Sequence, residues 1–166
     1  MALEPFQRVL DAHADTVVRY LTATLGVHEA QDAFQETFLA ALRAYPGLRP
    51  DSNVRAWLLT IARNKALDAH RARQRRPVPV EAVPERAAPP DDEGRGGSAL
   101  IADLPAPRTR EVLFLRYSAD LSHREIAVVL GCTEAASRRA AADGLALLRG
   151  RLDPPPSSEA GPVTLP

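Results

Sequence analysis

Between Pro77 and Gly97 the chain carries five prolines and three glycines among acidic residues, a composition that cannot supply a core. Whatever packs must lie on either side of it. This divides the chain into two small domains, residues 1–76 and 98–152, joined by a flexible linker at 77–97 and followed by a disordered tail at 153–166. At ~3.1 Å per residue the linker spans about 65 Å when extended and about 25 Å as a coil.

Both flanks repeat their apolar residues with a helical period. Phe6, Leu10, His13, Val17, Leu21 and Leu25 recur every three or four residues and predict a helix that Gly26 ends. A second helix is predicted from about Glu29 to Tyr45, stopped by Pro46-Gly47. A third follows the loop LRPDSN and runs to about Arg75, with Asp51, Ser52 or Asn53 as its cap. In the second half a short helix at Ala99–Leu104 precedes one from Pro107 to Tyr117, where proline suits the first helical turn. Ser122 and Glu125 have capping-box spacing at the start of a helix that reaches Leu130. Gly131 fits a left-handed turn position, and a last helix runs from about Glu134 to Leu152. Helix, glycine turn, helix is the helix-turn-helix order. Hydrophobic residues are 45% of the chain but aromatics only 5%, which favours small bundles over a sheet sandwich. The fold class is all-α.

Zero net charge hides a segregation. Residues 51–76 hold seven basic residues against two acidic ones, a net of +5, and residues 77–103 hold two against six, a net of −4. Screening confines each patch to a Debye length of ~8 Å, so the basic face can still hold phosphates. The single cysteine, Cys132, excludes an internal disulfide and fits a reducing cytoplasm. His13, His28, His70 and His123 lack metal-ligand spacing and read as surface or packed residues, so neither a metal nor another cofactor is expected. No apolar run approaches the ~18 residues of a membrane span, and MALEPFQRVL does not read as a signal peptide.

Two constellations carry function. Asp32, Gln35 and Glu36 project from one helix face, with Phe34, Phe38, Ala41 and Leu42 as the stripe expected to be buried. Trp57, Leu58 and Ile61 open the next helix, whose polar positions Asn64, Asp68, Arg71 and Arg75 follow at helical spacing. Taken alone, the first is also a solvated acidic face, Trp57 a core anchor and the arginines a helix end favoured by the macrodipole. Paired carboxylates acting as acid and base lack any accompanying pocket signature.

The words DAFQETFLAAL and RAWLLTIARNKALDAHRARQRR resemble region 2 of the extracytoplasmic-function (ECF) group of sigma-70 family RNA polymerase sigma factors. LPAPRTREVLFLRYSADLSHREIAVVLGC resembles region 4 of the same family. The resemblance implies a cytoplasmic, non-enzymatic protein whose partners are core RNA polymerase, through the largest-subunit clamp helices and the β-flap, and promoter DNA. An anti-sigma protein is a further partner by family analogy. It assigns Asp32, Gln35, Glu36 and Phe38 to core-polymerase binding, with Phe38 and Leu42 anchoring their helix inward. It assigns Trp57, Arg63, Asn64, Lys65, Asp68, Arg71 and Arg75 to the melted −10 element, with the loop Leu48–Asn53 as base pocket and Arg73 and Arg76 on phosphates. Thr133, Glu134, Arg138 and Arg139 fall at the −35 element. Aromatic stacking on a base contributes ~1–3 kcal/mol, which suits Trp57 to opened DNA.

The last helix departs from the family pattern. Ser137 stands where a buried valine is usual, Ala141 where a leucine is, and Asp143 where an arginine is. Gly144 weakens a helix by ~1 kcal/mol against alanine. Weak or unusual −35 recognition is therefore expected, with the first domain carrying more of the specificity. Two other classes fit less of the chain. A sigma-like adaptor that binds polymerase or an anti-sigma protein without reading DNA suits the depleted last helix but not the basic segment 63–76. A free-standing helix-turn-helix repressor leaves DAFQETFLAAL unexplained.

Overall fold

The computed structural model describes residues 3–76, 100–101 and 103–152, and every described element is helical. The expected linker and tail lie outside these residues. Helix α1 spans Phe6–Leu25 and α2 spans Val27–Ala44, separated by Gly26 at φ 85°. A 3-10 turn at Tyr45–Gly47 contains Pro46, and α3 spans Val54–Arg75. Of the three candidate caps, Asn53 is the one used. Its Oδ1 accepts the Ala56 N–H at 3.0 Å. Such caps contribute about 1 kcal/mol.

These three helices bury Val17, Leu21, Phe38, Leu58 and Leu59, and Phe6 closes one end of the bundle against Phe38 and Tyr45. The Tyr45 hydroxyl donates to the Glu4 carbonyl at 2.6 Å, tying the start of the chain to the end of α2.

In the second domain Leu100 and Ile101 are helical, Ala99 and Ala102 lie outside the described residues, and Asp103 and Leu104 are not helical, so the expected short helix does not reach Leu104. Helix α4 covers Pro107–Leu113 only. The next turn, Phe114–Ser118, has the wider π geometry, with the Ala119 N–H donating to the Phe114 carbonyl at 3.1 Å. The expected helix to Tyr117 therefore ends in a widened turn. Helix α5 (His123–Leu130) starts on the full capping box of Ser122 and Glu125. It stops at Gly131, whose φ 61° and ψ 43° are left-handed. Helix α6 is Glu134–Leu152. Gly144 is buried where α6 crosses α4, because a Cβ there would lie 2.5 Å from Thr109 Cγ2.

The two domains touch. Tyr20 of α1 is 1% exposed because Phe114 of the second domain covers it, ring centroids 5.8 Å apart. Helix α3 packs against α5 along the same seam.

Candidate polymerase and nucleic-acid interfaces

On α2, Asp32, Gln35 and Glu36 are exposed and form one outward row. Leu39 and Leu42, 54% and 51% exposed, continue that row at helical spacing. Phe38 lies on the inner side at 7% exposure, in ring contact with Phe6 and Phe34, so it anchors the helix from within. Leu42 corrects the sequence expectation, which placed it in the buried stripe. The face α2 buries is centred on Ala30, Ala33, Thr37 and Ala41, small side chains that let its neighbours approach closely. Leu42 sits roughly a third of a turn from that line. Sequence reasoning passed over Leu39; the small residues at i, i+3, i+7 and i+11 were the signal that would have turned both leucines outward.

On α3, Trp57, Asn64, Asp68, Arg71 and Arg75 recur at i, i+7, i+11, i+14 and i+18, which is one face. Asn64, Asp68, Arg71 and Arg75 are exposed. Trp57 is half-buried against Tyr45, ring centroids 6.3 Å apart, and so roots this face in the core.

Arg63 and Lys65 leave that face. Arg63 Nε turns to the seam, 3.4 Å from Glu111 Oε1, with the two side chains only 23% and 21% exposed. Lys65 Nζ turns to α2, 3.6 Å from Glu36 Oε2. Further along, Arg71 pairs with Asp68 at 3.5 Å and Arg73 with Glu29 at 2.6 Å. Exposed pairs of this kind contribute about 0–1 kcal/mol, so phosphate can replace their carboxylates at little cost. At the head of α3 the loop is partly occupied, since Asn53 Nδ2 donates to Glu125 Oε1 at 2.5 Å across the seam.

At the start of α6, Thr133 Oγ1 accepts the Ala136 N–H at 3.1 Å and so caps the helix. Arg138 and Arg139 are exposed, and Arg138 pairs with Glu134 one turn earlier. Ser137, fully buried, is satisfied by His123, whose Nδ1 lies 2.9 Å from Ser137 Oγ. Burial, then the nearby Arg116 and Arg138 charges, hold the His123 pKa below its ordinary value, which keeps the imidazole neutral. Nothing in the sequence pattern linked these residues, which are 14 positions apart. Asp143 is exposed. Among the described residues no group of three or more His, Cys, Asp or Glu converges as a metal site would. The cleft between the domains, lined by His13, Asn53, Val54, Arg55, Asp120 and Leu121, is polar and open.

Comparison with known proteins gives this geometry its family. The sigma-70 region 2 family model matches residues 9–76 and the sigma-70 region 4 model residues 99–148. The chain is 36% identical over 138 residues to the probable RNA polymerase sigma-C factor of Mycobacterium bovis, covering 79% of this chain and 72% of that protein. It is 37% identical over 150 residues to the ECF RNA polymerase sigma factor SigD of Mycobacterium tuberculosis, covering 80% and 69%. Among solved structures, CnrH in complex with the cytosolic domain of CnrY superposes with a TM-score of 0.64 at 25% identity, covering 89% of this chain and 87% of that one. RpoE in complex with the anti-sigma factor NepR from Bartonella quintana gives a TM-score of 0.70 over 90% of this chain and 97% of that one, and at 19% identity this concerns the fold alone. The chain belongs to the ECF group of sigma-70 family RNA polymerase sigma factors, the proteins that direct RNA polymerase in transcription initiation.

Proposed function

We propose that the outward row of α2 docks core polymerase, that the exposed face of α3 holds opened −10 DNA, and that the start of α6 meets the −35 element. The observation that carries this is the composition of the α2 row, where Asp32, Gln35 and Glu36 stand beside Leu39 and Leu42. Two exposed leucines offer apolar area, and the acidic and amide groups offer register with basic groups on the clamp helices. On α3, Trp57 is the base-stacking side chain, Asn64 and Asp68 border the unpaired strand, and Arg71 and Arg75 neutralise phosphates. Arg63 and Lys65 join them once released from Glu111 and Glu36. A β-flap contact and an anti-sigma partner are part of this proposal by family analogy.

The protein makes no covalent bond of its own; polymerase carries the chemistry. Its place of work is the cytoplasm, and no helix among the described residues is long and apolar enough to cross a membrane. The adaptor reading is favoured by one observation, that Arg138 is tied to Glu134 while Asp143 stands exposed on the same helix. The run of basic residues Arg71, Arg73, Arg75 and Arg76 at the exposed end of α3 weighs against it.

The test is Asp32→Lys with Glu36→Lys. Binding to core polymerase is expected to weaken at least tenfold, with helix content by circular dichroism unchanged. Holoenzyme assembly at wild-type affinity would refute the docking surface. Run-off transcription from a promoter library separates the sigma reading from the adaptor reading, which requires polymerase binding without initiation.

A further inference from the structure

We propose that His123 is a proton-taking latch of the helix-turn-helix: it holds the start of α6 through Ser137 and takes up a proton when that end of the domain meets DNA. This rests on the −35 reading above and adds how that contact is regulated.

His123 is the first residue of α5, directly after the Ser122 cap, and it is half-buried. Its Nδ1 lies 2.9 Å from Oγ of Ser137, which is fully buried at the end of the first turn of α6. The ring therefore joins the front ends of the two helices that a helix-turn-helix sets against DNA, the first crossing the backbone and the second entering the groove. A valine at 137 would fill this joint with an apolar contact, whereas here an ionisable side chain holds it. The bond serves either protonation state. A neutral Nδ1 can accept the hydroxyl proton, and a charged ring donates to the oxygen.

Charges of both signs surround the ring. Arg116 reaches it from the widened turn, where its Nη1 donates to the Leu121 carbonyl at 3.2 Å. Glu134 and Arg138 face it from α6, paired with each other. On α5 itself Arg124 is exposed, and Glu125 is committed to the Ser122 backbone and hydroxyl. Burial, then Arg116 and Arg138, keep the imidazole neutral in the free chain, with Glu134 opposing them.

DNA reverses this balance. Phosphates at the front of α5 offset Arg116 and Arg138, and an Arg138 drawn to DNA leaves Glu134 facing the imidazole. Both changes favour the charged ring, which adds a cation of its own to the phosphate contact. A group whose pKa is higher in the complex than in the free chain strengthens binding below its free value. That gain is lost as pH rises through its bound value. Proton uptake and −35 binding are thus reciprocal. The −35 contact is weak at neutral pH, as the depleted α6 predicts, and becomes stronger in acid.

Holoenzyme is titrated with a promoter from the run-off library, its −35 element intact or scrambled. Between pH 8 and pH 6 the wild type is expected to gain at least threefold more affinity for the intact promoter than His123→Gln does. The glutamine amide can keep a bond to Ser137 but takes no proton. Threefold corresponds to about half a pH unit between the free and bound titration midpoints. If that variant does not fold, calorimetry of the wild type in two buffers of different ionisation heat reads proton uptake directly. More uptake is expected on the intact promoter than on the scrambled one. Scrambling that leaves affinity unchanged at both pH values means that the −35 reading has failed, and the latch falls with it. Affinity that depends on the element, with the same pH gain in wild type and variant or the same uptake on both promoters, overturns the latch alone.

Discussion

Gly144 and Ser137 change meaning once their neighbours are known. By propensity a glycine inside α6 costs ~1 kcal/mol against alanine. A Cβ there would sit 2.5 Å from Thr109 Cγ2 and 2.7 Å from Leu113 Cδ1, and overpacking of this kind costs about 1–3 kcal/mol. The clash outweighs the propensity, so Gly144→Ala is expected to lower stability by up to about 2 kcal/mol in urea unfolding. A stabilised variant would mean that Thr109 and Leu113 swing aside freely. Ser137 looked like a polar residue in a valine's place, and its partner His123 removes the cost of burying it. Substitutions away from a family pattern are readable in sequence. Whether they weaken the domain depends on contacts that the pattern does not contain.

At the scale of elements, helix starts and stops were largely legible because they are set within four residues. Gly26, Pro46, Asn53, Ser122 with Glu125, and Gly131 all act where their chemistry predicted. The π turn at Phe114–Ser118 was not legible, since a helical period continues through it. Glu125 shows how much one boundary residue carries. The Ser122 backbone N–H, then the Ser122 hydroxyl and Asn53, hold its carboxyl below the ordinary range against the opposing effect of burial. A lowered folded-state pKa adds stability that is present above the unfolded carboxylate value and is lost as pH falls through the folded one. The urea midpoint is therefore expected to fall more between pH 7 and pH 3 for the wild type than for Glu125→Gln. Parallel curves would show that the carboxylate contributes nothing.

For the whole molecule the question is how DNA reading divides between the two domains. Arg71 and Arg138 each sit in an exposed ion pair, with Asp68 and Glu134, but Arg71 stands beside Arg73, Arg75 and Arg76 while Arg138 shares α6 with the exposed Asp143. Arg71→Ala is expected to weaken promoter binding by the holoenzyme more than Arg138→Ala. It should also reduce the salt slope by ~0.7 on single strands or ~0.9 on duplex. Anisotropy titrations at several salt concentrations measure both, and the reverse order would assign the specificity to α6. By itself the sequence determined the all-helical class, most helix boundaries and the family, because each rests on local period, caps and short words. Tertiary structure alone decided that Leu42 faces out, that Arg63 faces Glu111, and that the two domains share a seam. Those outcomes turn on which small side chains let helices approach, and on pairs such as Tyr20 and Glu111, which are 91 positions apart. No local pattern specifies such pairs.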